Sequence, residues 1–252
     1  MCMVRFRELQ MVFSRICAAI ALVTAAGLFF SGAFAENADT IRSLSINFKR
    51  VYSENKRVDS VKGRFFYSAD GSLFVNTTEP VRQFMRVEGN SMLLYYPDSR
   101  RAFRIVQSRP FTMPFIQSLV WTFNRKSNLE KAGFRFDHAE TAGDTAREYW
   151  KAPRQIAKQI RHLRISVVNR RTVVSIETFN AEGRCVVTTA CGSYGEAGGV
   201  PIPLTMTTSG TQGGLPYTES VVFGDPRINR EDDLAGVFFS IPPDVKIEEK
   251  RL

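Results

Sequence analysis

The sequence predicts a mainly β protein, one curved antiparallel sheet of about ten strands with helices lying against its concave side. Three observations carry this expectation. Short segments rich in aromatic and β-branched residues recur along most of the chain. Turn residues separate them. One long apolar segment at 110–123 interrupts the rhythm with helical spacing instead.

The chain opens with a secretory leader. Arg5, Arg7 and Arg15 are basic, Ile16 to Phe30 is a 15-residue apolar run, and Ala33-Phe34-Ala35 places small residues two apart just before Glu36. These are the three parts of a cleavable signal peptide. The run is short and Ala-rich for a membrane span, an uncleaved anchor helix being the alternative. Met11 offers a second start, since Arg15 still precedes the apolar core. Cys17 has no small-residue lipobox before it, so the chain is not read as a lipoprotein itself. The expected organisation is a signal peptide at 1–35 and one domain at 36–252, large enough for a substantial core, working outside the bacterial cytoplasm.

The amphipathic spacing of Ile41, Leu44, Phe48 and Val51, with Asp39 as cap, predicts a helix over Ile41 to Tyr52. Strands follow at Lys62 to Tyr67, Ser72 to Asn76, Arg82 to Val87, Met92 to Tyr96 and Ala102 to Val106, with turns at 69–71, 88–90 and 97–99. In 110–123 (PFTMPFIQSLVWTF), Thr112 can cap, Pro114 suits the first helical turn, and Phe115, Leu119 and Phe123 repeat every four. Ile116, Val120 and Trp121 make the other faces apolar, so this helix is either buried or covers an apolar cavity. The polar stretch 137–148 reads as loop. Leu163, Ile165 and Val167 alternate with polar residues, as do Val174 and Ile176, and Leu204 and Met206, giving later strands. Gly192 to Gly199 lacks the spacing and following helix of a phosphate cradle and reads as a turn.

Charge and chemistry narrow the function. The chain holds 34 basic and 25 acidic residues, a net +9, and loss of a leader with three Arg and one Glu leaves +7. The pairs Arg100-Arg101, Arg125-Lys126 and Arg170-Arg171 are scattered, as for solvated strand ends, and export argues against a nucleic-acid partner. His138 and His162 are the only histidines, and neither has a second histidine or a cysteine at ligand spacing. No G-x-S-x-G or H-E-x-x-H occurs. Asp232-Asp233 and Glu248-Glu249 are adjacent pairs that would face opposite ways in a strand. Nothing marks an enzyme, a metal site or a cofactor. Cys185 and Cys191, the cysteines left in the mature chain, are a possible disulfide. Compartment favours it, whereas six residues of one straight strand span about 20 Å, so pairing needs a turn at Thr188-Thr189.

The order of elements resembles the LolA-type periplasmic carriers of outer-membrane lipoproteins. Leu44 to Tyr52 (LSINFKRVY) is similar to that family's first helix. Gly63, Pro80, Gly89 and Tyr95-Tyr96-Pro97 follow a family pattern at separations of 17, 9 and 8 residues. Phe179 to Gly183 resembles a middle hairpin, and Val237 to Val245 (VFFSIPPDV) the terminal strand. The resemblance implies an incomplete, strongly curved antiparallel β-barrel closed by helices over an apolar cavity for acyl chains. It implies no cofactor and a monomer. The partners implied are acylated lipoproteins or lipids, an inner-membrane donor complex and an outer-membrane acceptor. One departure stands out: the family's lid-holding Arg-Pro pair is matched by Ala69-Asp70, so a lid here is expected to be held by apolar contact alone.

The acyl-cavity candidates are Phe65, Tyr67, Leu73, Met85, Leu94 and Tyr96 on strands. The lid candidates are Phe111, Met113, Phe115, Ile116, Leu119 and Trp121, with Arg109 and Arg125 at the rim. Three functions fit: a carrier of acylated cargo, a regulatory or scaffold module that senses lipid or binds a partner protein, and an unmarked hydrolase using His138 or His162. The leader makes the first testable statement. N-terminal sequencing of exported protein is expected to read Glu-Asn-Ala-Asp from Glu36, and a retained leader would contradict it.

Overall fold

The computed structural model describes residues 41–55, 57–108, 111, 113–230 and 239–252. The leader, Asp39, Arg109, Pro110, Thr112, Asp232-Asp233 and the Val237-Phe238 start of the terminal motif lie outside the described residues.

The order is β1 (Ser43–Glu54), β2 (Arg57–Ser68), β3 (Leu73–Glu79), β4 (Gln83–Glu88), β5 (Ser91–Tyr96), β6 (Arg101–Val106), α1 (Pro114–Val120), α2 (Arg125–Lys131), β7 (Arg135–Ala142), β8 (Thr145–Lys151), β9 (Ile160–Val168), β10 (Thr172–Asn180), β11 (Cys185–Ala197), β12 (Val200–Gln212), β13 (Leu215–Ile228) and β14 (Ile247–Arg251). All strands join one open sheet in the order β14-β6-β5-β4-β3-β2-β1-β13-β12-β11-β10-β9-β8-β7. The described strands number fourteen, not about ten. Every pairing is antiparallel except β14 with β6.

Five expectations are corrected. The expected first helix is β1, the sheet's central strand, bonded to β2 on one side and β13 on the other. Leu44, Ile46 and Phe48 are its buried apolar positions, a spacing of two that the 3.6-residue reading passed over. The polar 137–148 stretch forms the β7–β8 hairpin. As the edge strand, β7 is exposed at every position, so it has no apolar face to advertise itself. The Gly-rich segment is mostly strand: β11 runs to Ala197, and only Gly198-Gly199 turns. The terminal motif is not a strand over 239–245; the last strand is β14. In β10 the buried residues are Val173 and Ile176 rather than an alternating Val174 and Ile176, because the ladder to β9 slips between Val173 and Ser175.

Cys185 and Cys191 are free thiols within β11. The turn a bridge would need is absent, since Thr188 and Thr189 pair with Ser209 and Thr208 of β12 in an unbroken ladder.

The topology dictates where the helices go. Strand β6 lies one strand from one edge of the sheet and β7 forms the other, so the α1–α2 connection runs between its two ends. Its apolar side chains are buried there. One core cluster joins Phe48, Phe65, Met85, Leu94, Ile202 and Phe223 to Phe115, Ile116, Leu119 and Val120 of α1. A second joins Trp121, Leu129 and Phe134 to Trp150, Leu163, Ile165 and Ile176.

Gly63 shows how tightly the wall of β2 and β3 is built. A Cβ there would lie 2.3 Å from the carbonyl oxygen of Asn76, where the β2–β3 ladder slips between Lys62 and Gly63. Backbone cannot retreat as a flexible side chain can, so Gly63→Ala is expected to cost about 1–3 kcal/mol. Urea unfolding of this variant checks the expectation; parental stability would contradict it.

Candidate functional site

Helix α1 starts with Pro114 at its first turn, where a missing N–H costs nothing. Met113 is the N-cap and makes no side-chain cap. The chain is delivered to it by Phe111, whose N–H donates to the Gly89 carbonyl at 2.8 Å, with Gly89 turning at φ 55°. The helix ends after Val120, earlier than the expected 123, with Thr122 donating its hydroxyl back to the Leu119 carbonyl at 2.7 Å. A second helix then begins at Arg125, which the sequence reading did not anticipate.

The expected acyl-site residues are largely brought together. Phe65, Leu73, Met85, Leu94, Phe115, Ile116 and Leu119 are buried in the first core cluster, with Tyr67, Tyr96, Phe111 and Met113 packed against it, half-buried. Phe115 is the wedge. Its ring centroid lies 5.4 Å from that of Phe48 and 6.4 Å from that of Phe65, which in turn meets Phe223 edge-on at 6.4 Å. Burial pushes the phenols of Tyr67 and Tyr96 above their ordinary pKa, so both stay neutral donors at physiological pH. Trp121 departs from the expected set. It belongs to the second cluster, edge-on to Phe134 at 5.9 Å.

Two expectations about the helix's attachment are corrected. Arg125 holds no rim position. Its guanidinium makes a bidentate pair with Glu148 at 2.8 and 2.7 Å, and Glu148 also accepts from the Trp150 indole at 3.2 Å, which pins α2 to β8. Apolar contact alone does not hold α1. Arg50, on β1 beyond Phe48, is ion-paired to the buried Glu219 of β13, and its guanidinium stands 5.9 Å from the Phe115 ring centroid. Asn124, in the left-handed conformation at φ 46°, donates to the Ile41 carbonyl at 2.9 Å. Asn128 donates to the carbonyls of Val120 and Phe123, both at 2.9 Å. These amides bind the α1–α2 corner to itself and to the start of β1. A polar residue placed after an apolar helix was the available signal for them.

The space beneath α1 is occupied by the rings named above. An open groove of about 650 Å³ lies elsewhere, bounded by Arg184, Cys185, Thr188, Ser209 and Thr211, and none of the expected acyl-site residues lines it. His138 lies at the surface against Asp137 and stacks on Tyr149 at 4.3 Å. His162 stacks on Phe179 at 4.5 Å. No hydrogen bond joins either histidine to a serine among the described residues, and no group of three metal-ligating side chains gathers among them.

No protein-family model and no curated protein matches the chain. Solved structures do. A LolA superfamily protein from Nitrosomonas europaea superposes with a TM-score of 0.50 at 14% identity, over 76% of this chain and 89% of that one. The chain has the LolA-type fold. A domain from Vibrio parahaemolyticus, described as outer-membrane lipoprotein-sorting, gives 0.52 at 14% identity, over 77% and 89%. A DUF1329-family protein from Desulfovibrio piger gives 0.55 at 12% identity, over 79% and 93%. The LolA-type architecture is realised here with a strand where the resemblance implied a first helix, and with the helical insert seated on the core.

The thiols supply a test of this arrangement. Cys191 is mostly buried, and burial pushes its thiol up to about 12, so almost no thiolate forms near neutral pH. Cys185 is exposed. A thiol reagent on folded, unreduced protein is expected to label Cys185 rapidly and Cys191 only after unfolding. Two unreactive thiols until reduction would restore the disulfide.

Proposed function

We propose that the mature chain is a periplasmic binder that carries acylated cargo, lipoproteins in transit to the outer membrane, by non-covalent burial of acyl chains beneath α1. The observation that carries this reading is the seating of α1. A seven-residue helix places Phe115, Ile116, Leu119 and Val120 on the same apolar cluster as Phe65, Met85 and Leu94, in a fold shared with a lipoprotein-sorting domain. Binding of this kind needs area rather than reactive groups. Each buried CH₂ contributes about 0.8 kcal/mol, so roughly ten of them supply about 8 kcal/mol before the costs of association. Such affinity is reversed by an acceptor that binds the chain better, which gives the carrier a donor at the inner membrane and an acceptor at the outer membrane as partners.

Because Phe48, Phe65 and Phe115 already fill the space, entry of an acyl chain requires α1 to swing away, with Phe111 and the Asn124 corner as its ends. The same close packing supports a second reading, in which the module binds a partner protein on its surface and α1 stays shut.

Trp121, at the end of α1, separates the two. Titration with a short-chain acyl lipid is expected to shift the parent's tryptophan emission, and Trp121→Phe, which leaves Trp150 alone, is expected to lose the shift while still binding. Unshifted emission at saturating lipid would show α1 stationary and would sink the lid mechanism.

A further inference from the structure

The wall of the proposed acyl site has a polar boundary. In β3, β4 and β5, alternation puts Val75, Met85 and Leu94 on the face that carries the first core cluster. Two residues further along each strand, on that same face, the apolar row is replaced by Thr77, Gln83 and Tyr96. The ladder sets Gln83 opposite Thr77, and it pairs Phe84 with Tyr95, the residues next to Gln83 and Tyr96. Three side chains with polar tips thus stand side by side across three strands, bordering an apolar floor.

Gln83 is the unusual member. It is 8% exposed, and its Nε2 is fully buried with no hydrogen-bond partner among the described residues. Buried amides are almost always paired, and leaving one unmade is costly, so an orphaned donor beside an apolar site calls for an acceptor. An aliphatic residue of the same size would avoid that cost. Binding sites for mostly apolar ligands have this composition: a broad apolar lining with a few polar groups that fix orientation.

We infer that Gln83 is a specificity residue that donates to the carbonyl oxygen of an acyl group, with Thr77 and Tyr96 beside it at the end of the chain's path. This rests on the acyl-binding reading above and adds to it. The hydrocarbon supplies affinity along Val75, Met85 and Leu94, and the carbonyl sets the depth at which the chain stops. The ligand class is therefore acyl chains, with an ester or amide carbonyl, in preference to alkyl chains of equal length.

The experiment compares matched pairs of probes on the full mature protein. One pair is a short-chain diacyl glycerophospholipid and its dialkyl ether analogue. The other is an N-acyl amide amphiphile and its N-alkyl amine counterpart. The parent is expected to bind the carbonyl member of at least one pair about 5- to 10-fold more tightly, the worth of one neutral hydrogen bond; the pair that shows it identifies the linkage. Gln83→Met keeps the shape and removes the donor. It is expected to bind both members alike and to melt no lower than the parent, since an unpaired buried amide has been replaced by an apolar group. Equal binding of both members of both pairs by the parent, a preference that survives in Gln83→Met, or a lowered Tm marking Gln83 as structural, would each overturn the inference. Binding of none of the four probes would overturn the acyl-binding reading on which it rests.

Discussion

The packing of Phe115 onto Phe48 and Phe65 is the contact on which the remaining architecture depends. Strand β1 supplies Phe48 and is the centre of the sheet, joining the β2–β6 half to the β7–β13 half through β13. The helical insert leaves one half and enters the other, so it must meet the sheet somewhere, and an apolar helix meets it where it can be buried. Phe115 fixes that place beside the central strand. The Arg50–Glu219 pair then lies directly alongside, and the Asn124 amide closes the corner onto the carbonyl of Ile41. Removing ions from water is costly, so the pair is better understood as fixing orientation around Phe115 than as a source of stability.

Much of this was legible in the sequence, and the failures share a physical origin. The hairpins from β2 to β6 were readable because aromatic and β-branched residues alternate there and Gly71 and Gly89 mark the turns. Strand β1 was misread because Leu44 and Phe48 satisfy a spacing of four as well as of two, and only its two hydrogen-bonded neighbours decide between them. Strand β7 carries no apolar face, since it lies at the rim with both sides in water. Strand β11 holds Gly192 and Gly195 inside its ladder to β12, where a Cβ at Gly195 would stand 3.2 Å from the Leu204 side chain. In each case the deciding information is the partner across the ladder, which is remote in sequence.

The candidate site divides in the same way. Residues chosen for apolar character, such as Phe65, Met85, Leu94 and Leu119, do converge, because hydrophobic burial is the property composition reports best. Trp121 was assigned to the same surface, but a helix turns its successive residues to different sides, and the turn after Val120 sends Trp121 to Phe134 instead. The polar attachments of α1, and the place of Thr77 and Gln83 beside the anticipated Tyr96, were not legible. Their meaning comes from register and from which hydrogen bonds are left unmade, and neither is visible in one dimension.

On the proposed function, the apolar face beneath α1 is a place for hydrocarbon that the helix closes when empty. The most direct measurement is native mass spectrometry of the protein isolated gently from the cells that make it. A fraction is expected to carry the additional mass of an acylated lipid or lipoprotein, released by organic solvent to leave the bare chain. A single species at the mass of the bare polypeptide, unchanged after incubation with acylated lipoprotein, would contradict it.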